Sequence, residues 1–206
     1  MWIIGITGGV GSGKTEILSY IQNKYRASVI FADKVAHLLQ QPGQICYRPL
    51  LTLLGRDILS DEKQEDSPID RGKMAAEIFR NPDLLKQVNA IVHPAVRNYV
   101  DREIQEASEK GERDFLFIEA ALLIEAGYGA VVDELWYIYA DEKVRMNRLG
   151  ESRKYPEEKI RQIMKEQLPE WKFRQECQFV VDNSGSLEDS FSQIDKKMGE
   201  YLCRKQ

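Results

Sequence analysis

Cysteine is scarce in this chain. Cys46, Cys177 and Cys203 are the three among 206 residues. Their spacing suits neither a zinc site nor the paired framework of a secreted domain, so a reducing cytosol is expected. Histidine is scarcer still, with His37 and His93 alone. No uninterrupted apolar span approaches the roughly 18 residues a bilayer crossing needs, and no basic stretch runs ahead of an apolar one. Membrane insertion and export are therefore not expected, and a cytoplasmic location is. The acidic surplus is small, a net charge of −4, but its average field repels polyanions and argues against nucleic acid as the main ligand. Internal repeats and low-complexity tracts are missing too. So is the N-K-x-D base-reading signature, which favours an ATP user over a GTP switch. What remains is ample for a core: 43% of residues are hydrophobic, enough for one nucleotide-binding domain with insertions.

The most informative stretch present is Gly8-Gly9-Val10-Gly11-Ser12-Gly13-Lys14-Thr15, which completes G-x-x-x-x-G-K-[ST]. It follows the apolar run Trp2 to Thr7 and precedes a segment with helical spacing. In that setting backbone N–H groups at a helix N-terminus cradle a polyphosphate. Gly9, Val10, Gly11, Ser12 and Gly13 then line a nucleoside triphosphate. Lys14 bridges β- and γ-phosphate oxygens as a point charge, and the Thr15 hydroxyl ligates Mg2+. A plain glycine-rich turn is the alternative, and the flanking elements weigh against it.

Apolar runs rich in β-branched or aromatic residues recur at Trp2 to Thr7, Ser28 to Phe31, Phe115 to Ile118, Leu135 to Tyr139 and Phe179 to Val181. Runs apolar on both faces suit a buried parallel sheet. With helical stretches between them they predict an α/β fold, an open parallel sheet flanked by helices, with ligands at the carboxyl ends of the strands. The spacing is uneven. Far more chain lies between Phe31 and Phe115 than one crossover of about a dozen residues needs. In it Leu84, Val88, Ile91 and Val92, then Val96, Tyr99, Val100 and Ile104, fall at helical spacing. Core packing accounts for most of those stripes. Ser60 to Pro68 reads as an exposed loop, and Pro94 marks a new helix start or a kink. From Arg145 to Lys165 seven basic residues accompany three acidic ones. A solvated helix face explains any one of them, but as a group they fit a lid whose arginines neutralise a transferring phosphoryl.

Asp33 follows the second strand, where its carboxylate either accepts a proton from an attacking hydroxyl or caps a helix starting at Lys34. Glu119 ends the third strand, the place of an acid that holds Mg2+ through a water or orients the loop. Asn183-Ser184-Gly185 follows the last strand, where such folds pass under the nucleotide base. An ordinary turn with Ser186 capping the final helix is the alternative.

Taken in order, Ile4 to Thr15, Ala32-Asp33-Lys34-Val35-Ala36-His37, Pro42-Gly43, Ile69-Asp70-Arg71, Asn89 to Pro94, Leu122-Leu123-Ile124-Glu125 and Val181 to Gly185 closely resemble the dephospho-CoA kinases. The resemblance runs nearly end to end and implies a phosphate-loop NTPase fold with a helical substrate-binding insert and a helical lid. It implies a core of residues 1–34, 112–140 and 178–206, an insert of 35–111 and a lid of 141–177. ATP and Mg2+ would be the cofactors, and the reaction the phosphorylation of the 3′-hydroxyl of dephospho-CoA, the last step of coenzyme A synthesis. Asp33 would be the general base, with Lys14, Arg148 and Arg153 stabilising the charge in flight. Asn183 would join the loop at ATP, and Thr15 and Glu119 would serve the metal. Asp33, Asp70, Arg71 and His93 would receive dephospho-CoA. A small-molecule substrate without nucleic acid or membrane, and a monomer or weak homo-oligomer, complete the expectation. A nucleoside or nucleotide kinase with another acceptor, or a non-catalytic nucleotide-binding regulator, are the alternatives. The chain departs from the family pattern at Phe31, where many members have the first Asp of a D-A-D triplet. It departs again at Ala121 and Cys177-Gln178, and in an extra residue around Ser152 to Tyr155.

Overall fold

The computed structural model describes residues 1–203, so the last three positions of the expected core segment 178–206 lie outside the described residues. In chain order the elements are β1 (Trp2–Thr7), α1 (Lys14–Lys24), β2 (Ala27–Phe31), α2 (Ala32–Leu39), α3 (Tyr47–Leu54), α4 (Arg71–Arg80), α5 (Pro82–Lys110), β3 (Phe115–Glu119), β4 (Glu134–Tyr139), α6 (Glu142–Arg153), α7 (Glu157–Lys165), α8 (Glu170–Glu176), β5 (Phe179–Asp182) and α9 (Leu187–Cys203). The chain divides into two units. One comprises Met1–Val29 with the chain from Lys110 onward, the other Ile30–Glu109, and β2 straddles the boundary.

The first unit is built on a five-stranded sheet of order β2-β3-β1-β4-β5. β1 pairs in parallel with β3 on one side and β4 on the other, and β4 pairs in parallel with β5. The expected α/β fold and its five strands are all present. Because the chain leaves β1 toward one edge and later returns to its other side, the carboxyl end of β1 is a topological switch point, where open α/β sheets leave a crevice for ligands. The strands are buried on both faces: Ile4, Ile6, Phe117, Trp136 and Ile138 are fully enclosed. Trp136 anchors the far end of the sheet to α9, donating from its indole N–H to the Tyr201 hydroxyl at 3.1 Å, while Tyr201 donates to Glu134 at 2.6 Å. Lys197 closes that cluster 2.8 Å from Glu134.

The second unit is helical. In α5 the residues Val88, Val92, Val96 and Val100 are buried at intervals of one helical turn. The helix runs unbroken through Pro94, so that residue is not a helix start. Proline removes one backbone donor and crowds the preceding turn, but the valine stripe on either side keeps the segment helical. Asp33 also differs from one expectation. Helix α2 begins at Ala32, Phe31 occupies the cap position, and no side chain caps the helix, so Asp33 is a first-turn residue and not the cap of a helix starting at Lys34. Ser60 to Pro68 is mostly exposed, as expected of a loop, but Ser67 is buried under the Tyr47 hydroxyl, which donates to its carbonyl at 2.6 Å. Among the described residues no helix is long and apolar enough to cross a membrane.

Candidate active site

The loop between β1 and α1 sits at the switch point. Gly13 forms the cap of α1 with φ 88°, a left-handed conformation that glycine adopts without strain. A side chain there would also collide with the Asn183 amide. The first-turn amides of α1 therefore open onto the loop with no side-chain cap, leaving their partial positive charge for an anion. Lys14 donates to the Gly8 carbonyl at 2.7 Å and lies 3.9 Å from the Glu119 carboxylate. The parallel register that sets Ile6 opposite Glu119 brings that acid to the loop.

Side chains distant in sequence brace the loop from outside. Asn183, itself buried, donates to the Ser12 carbonyl at 2.7 Å and accepts from the Ser190 hydroxyl at 2.8 Å. Arg148 reaches the Ser12 carbonyl at 3.5 Å and the Asn183 carbonyl at 3.0 Å. Arg145 donates to the Val10 carbonyl at 3.0 Å and to the Gln167 side-chain oxygen at 3.0 Å, and the Val10 amide donates to that same oxygen at 3.1 Å. Burial pushes the Arg145 pKa down, with Tyr137, Glu142 and Glu170 pulling the other way. Gly9 leaves room for this guanidinium, since a Cβ there would stand 2.6 Å from its central carbon. Ser186 caps α9, accepting from the Asp189 amide at 3.1 Å. The Ser184 hydroxyl accepts from the Asp141 amide at 2.9 Å, tying the turn after β5 to the start of α6.

The expected site residues fall into three groups. Gly9 to Thr15, Glu119, Arg148 and Asn183 gather around the loop in the first unit. Arg153, also in that unit, lies at the exposed end of α6 with its guanidinium 5.9 Å from the Tyr155 ring centroid. Asp33, Asp70, Arg71 and His93 belong to the second unit. Asp33, Arg71 and His93 are exposed, whereas the Asp70 carboxylate caps α4, accepting from the Gly72 and Lys73 amides at 2.7 and 3.0 Å. The Lys73 and Gly72 amide bonds hold its pKa below the usual carboxylate range. Phe31, where the family pattern has an acid, is covered by Lys34, whose ammonium lies 4.3 Å from the ring centroid. Arg145 and Gln167 were not singled out from sequence. The basic run contained the first without distinguishing it from its neighbours, and nothing local to Gln167 signals its contact.

The Thr15 hydroxyl stands on the exposed first turn of α1, and Glu119 ends β3 with its carboxylate 3.9 Å from the Lys14 ammonium. Mg2+ is typically held by one or two protein oxygens together with substrate phosphates and waters, and a hydroxyl and a carboxylate are oxygen donors of the kind it takes. Among the described residues no group of three or more His, Cys, Asp or Glu could hold a metal by itself.

Comparison with known proteins bears on what passes through this site. The dephospho-CoA kinase family pattern matches residues 2–189. A dephospho-CoA kinase of Oceanobacillus iheyensis is 33% identical over 201 residues, covering 97% of each chain. The crystal structure of a Thermus thermophilus protein superposes with a TM-score of 0.80 at 26% identity over 97% of each chain. The solved structure of dephospho-CoA kinase from Campylobacter jejuni gives 0.71 at 18% identity over 99% of this chain and 98% of that one, a likeness of fold. This chain belongs to the dephospho-CoA kinase family, and it is a nucleotide-binding phosphotransferase that phosphorylates dephospho-CoA in coenzyme A biosynthesis.

Proposed function

We propose that the donor is ATP with Mg2+, that the acceptor is the ribose 3′-hydroxyl, and that the residues divide the work as follows. The loop from Gly9 to Gly13 and the first turn of α1 bind the β- and γ-phosphates through main-chain amides other than that of Val10, which Gln167 holds; Lys14 acts on them as a point charge, and Asn183 fixes the loop's rear wall. The carboxylate of Asp33 takes the proton of the attacking 3′-hydroxyl as the hydroxyl oxygen bonds to the γ-phosphorus. The bond from that phosphorus to the β-γ bridging oxygen breaks, and ADP leaves with the electron pair. Thr15 and Glu119 would hold Mg2+, which when bound neutralises phosphate charge. Arg148 and Arg153 complete the positive surround from a lid of residues 141–177, while Asp70, Arg71 and His93 in an insert of residues 35–111 meet dephospho-CoA.

One observation carries the donor side of this reading: an uncapped α1 N-terminus at the switch point, with Lys14 resting on Gly8 beside Glu119. Purified protein is expected to make coenzyme A and ADP from ATP, Mg2+ and dephospho-CoA. Asp33→Asn is expected to keep ATP affinity while cutting kcat by roughly 100-fold, the scale of general-base catalysis. Unchanged turnover in that variant would remove Asp33 from the mechanism. Transfer to nucleosides or nucleotides but not to dephospho-CoA would favour the other kinase reading.

A further inference from the structure

Val10 forms the crest of the phosphate loop, and both of its main-chain polar groups are taken by side chains more than a hundred residues away in sequence. Its carbonyl accepts from Arg145 and its amide donates to Gln167. Those two side chains also bond each other through the same carboxamide oxygen. The result is a closed triangle of hydrogen bonds, each between 3.0 and 3.1 Å. Gly9, beside Val10, is bare where the guanidinium lies.

From this geometry we infer that Gln167 is a positioning residue for phosphoryl transfer: its carboxamide oxygen, shared with Arg145, holds the loop crest in the form that receives the triphosphate. The inference rests on the reading of the loop as the ATP site and deepens it. Gln167 lies in the connection between α7 and α8, so that connection and the ATP site are coupled through one oxygen.

The choice of a neutral side chain has a physical reason. The hydrogen-bond partners of the Arg145 guanidinium are the uncharged oxygens of Val10 and Gln167; among the described residues Glu142 and Glu170 act on it only through the longer-range field, without a direct ion pair. A partly buried cation beside the loop raises the local potential felt by an incoming polyanion. A carboxylate at position 167 would accept the same two hydrogen bonds and would oppose that field. Order of the crest and attraction for phosphate are thereby separable by substitution.

The test uses the full chain with two variants, Gln167→Ala and Gln167→Glu, and measures KM for each substrate, thermal melting, and amide hydrogen exchange at Val10 without nucleotide. In Gln167→Ala the Val10 amide is expected to exchange roughly 10-fold faster. KM for ATP should rise roughly 3- to 10-fold, the scale of the one lost hydrogen bond that holds the loop itself, from the Val10 amide, while KM for dephospho-CoA stays within about twofold. In Gln167→Glu the amide stays protected and the melting temperature is kept, yet KM for ATP still rises, less so at high salt because the opposing charge is screened. Unchanged KM for ATP in both variants would overturn the proposal. So would an equal rise in both KM values accompanied by a fall in melting temperature, which would mark a merely structural residue. Failure of wild-type protein to bind ATP by calorimetry would remove the donor reading itself, and is seen before any variant is made.

Discussion

Replacing Asn183 probes how the rear wall of the loop is built, because two substitutions of similar size should diverge. The side chain is buried, donates to the Ser12 carbonyl at 2.7 Å and accepts from Ser190 at 2.8 Å. In Asn183→Ala the Ser190 hydroxyl keeps two other acceptors, the Asp182 and Ser186 carbonyls at 3.2 Å each. Among the described residues the Ser12 carbonyl is left with Arg148, at 3.5 Å. One good buried hydrogen bond and part of a carbonyl's solvation are lost, about 2 kcal/mol, which for a chain of this size is a fall in melting temperature of about 4–8 °C. Asn183→Asp keeps the volume but puts an acceptor where the donor was, facing the Ser12 carbonyl. Ionised, it is a buried charge opposite an oxygen, and the cost rises to about 3–5 kcal/mol. Protonated, it regains a donor. Its pKa in the folded protein is therefore expected to rise, so the variant's deficit relative to Asn183→Ala is largest above that value and shrinks as pH falls through it. Thermal denaturation of both variants at about pH 5 and about pH 8 reads this out. An Asn183→Asp protein that melts at or above Asn183→Ala at the higher pH would refute the donor assignment to Ser12.

Gly9→Ala is expected to displace the Arg145 guanidinium, since the new Cβ would lie 2.6 Å from its central carbon, and to weaken ATP binding roughly 3- to 10-fold through loss of the Val10 contact. Wild-type affinity by calorimetry would mean that the arginine does not matter to the loop. At the seam of α1 and α9, Asp195 accepts from Lys24 at 2.6 Å, Tyr25 at 2.6 Å and Tyr20 at 2.7 Å. Burial pulls its carboxyl upward, but these three hydrogen bonds outweigh it and leave the pKa below the usual value. The contribution to stability is thus present above the unfolded carboxyl pKa and disappears as pH falls through the folded one. Melting curves of wild type and Asp195→Asn should therefore differ at neutral pH and converge in acid, and a gap that widens in acid would overturn this account.

Much of the fold was legible because the signals are local. Both-face apolar runs identified five strands, and the observed strands match or extend those runs by a residue or so, as at Ala27 and Glu134. Where local rules compete, the sequence was ambiguous. Pro94 looks like a helix boundary, yet the buried stripe from Val88 to Val100 carries α5 through it. Asp33 looks like a cap, yet the helix begins one residue ahead of it.

For the candidate site the division is sharper. The chain by itself determined the cradle, because Gly13, Lys14 and Thr15 act through backbone conformation and reach within a few residues, and a short motif encodes such effects completely. Only the tertiary structure decided what braces that cradle. Arg145, Arg148, Gln167 and Asn183 reach the loop from more than a hundred residues away. Their roles come from the parallel pairing of β1 with β4 and of β4 with β5, which brings these late segments beside the first loop. Neither periodicity nor composition distinguishes such an arginine from one on a solvated helix face. The difference lies in which carbonyl stands opposite it once the sheet has formed.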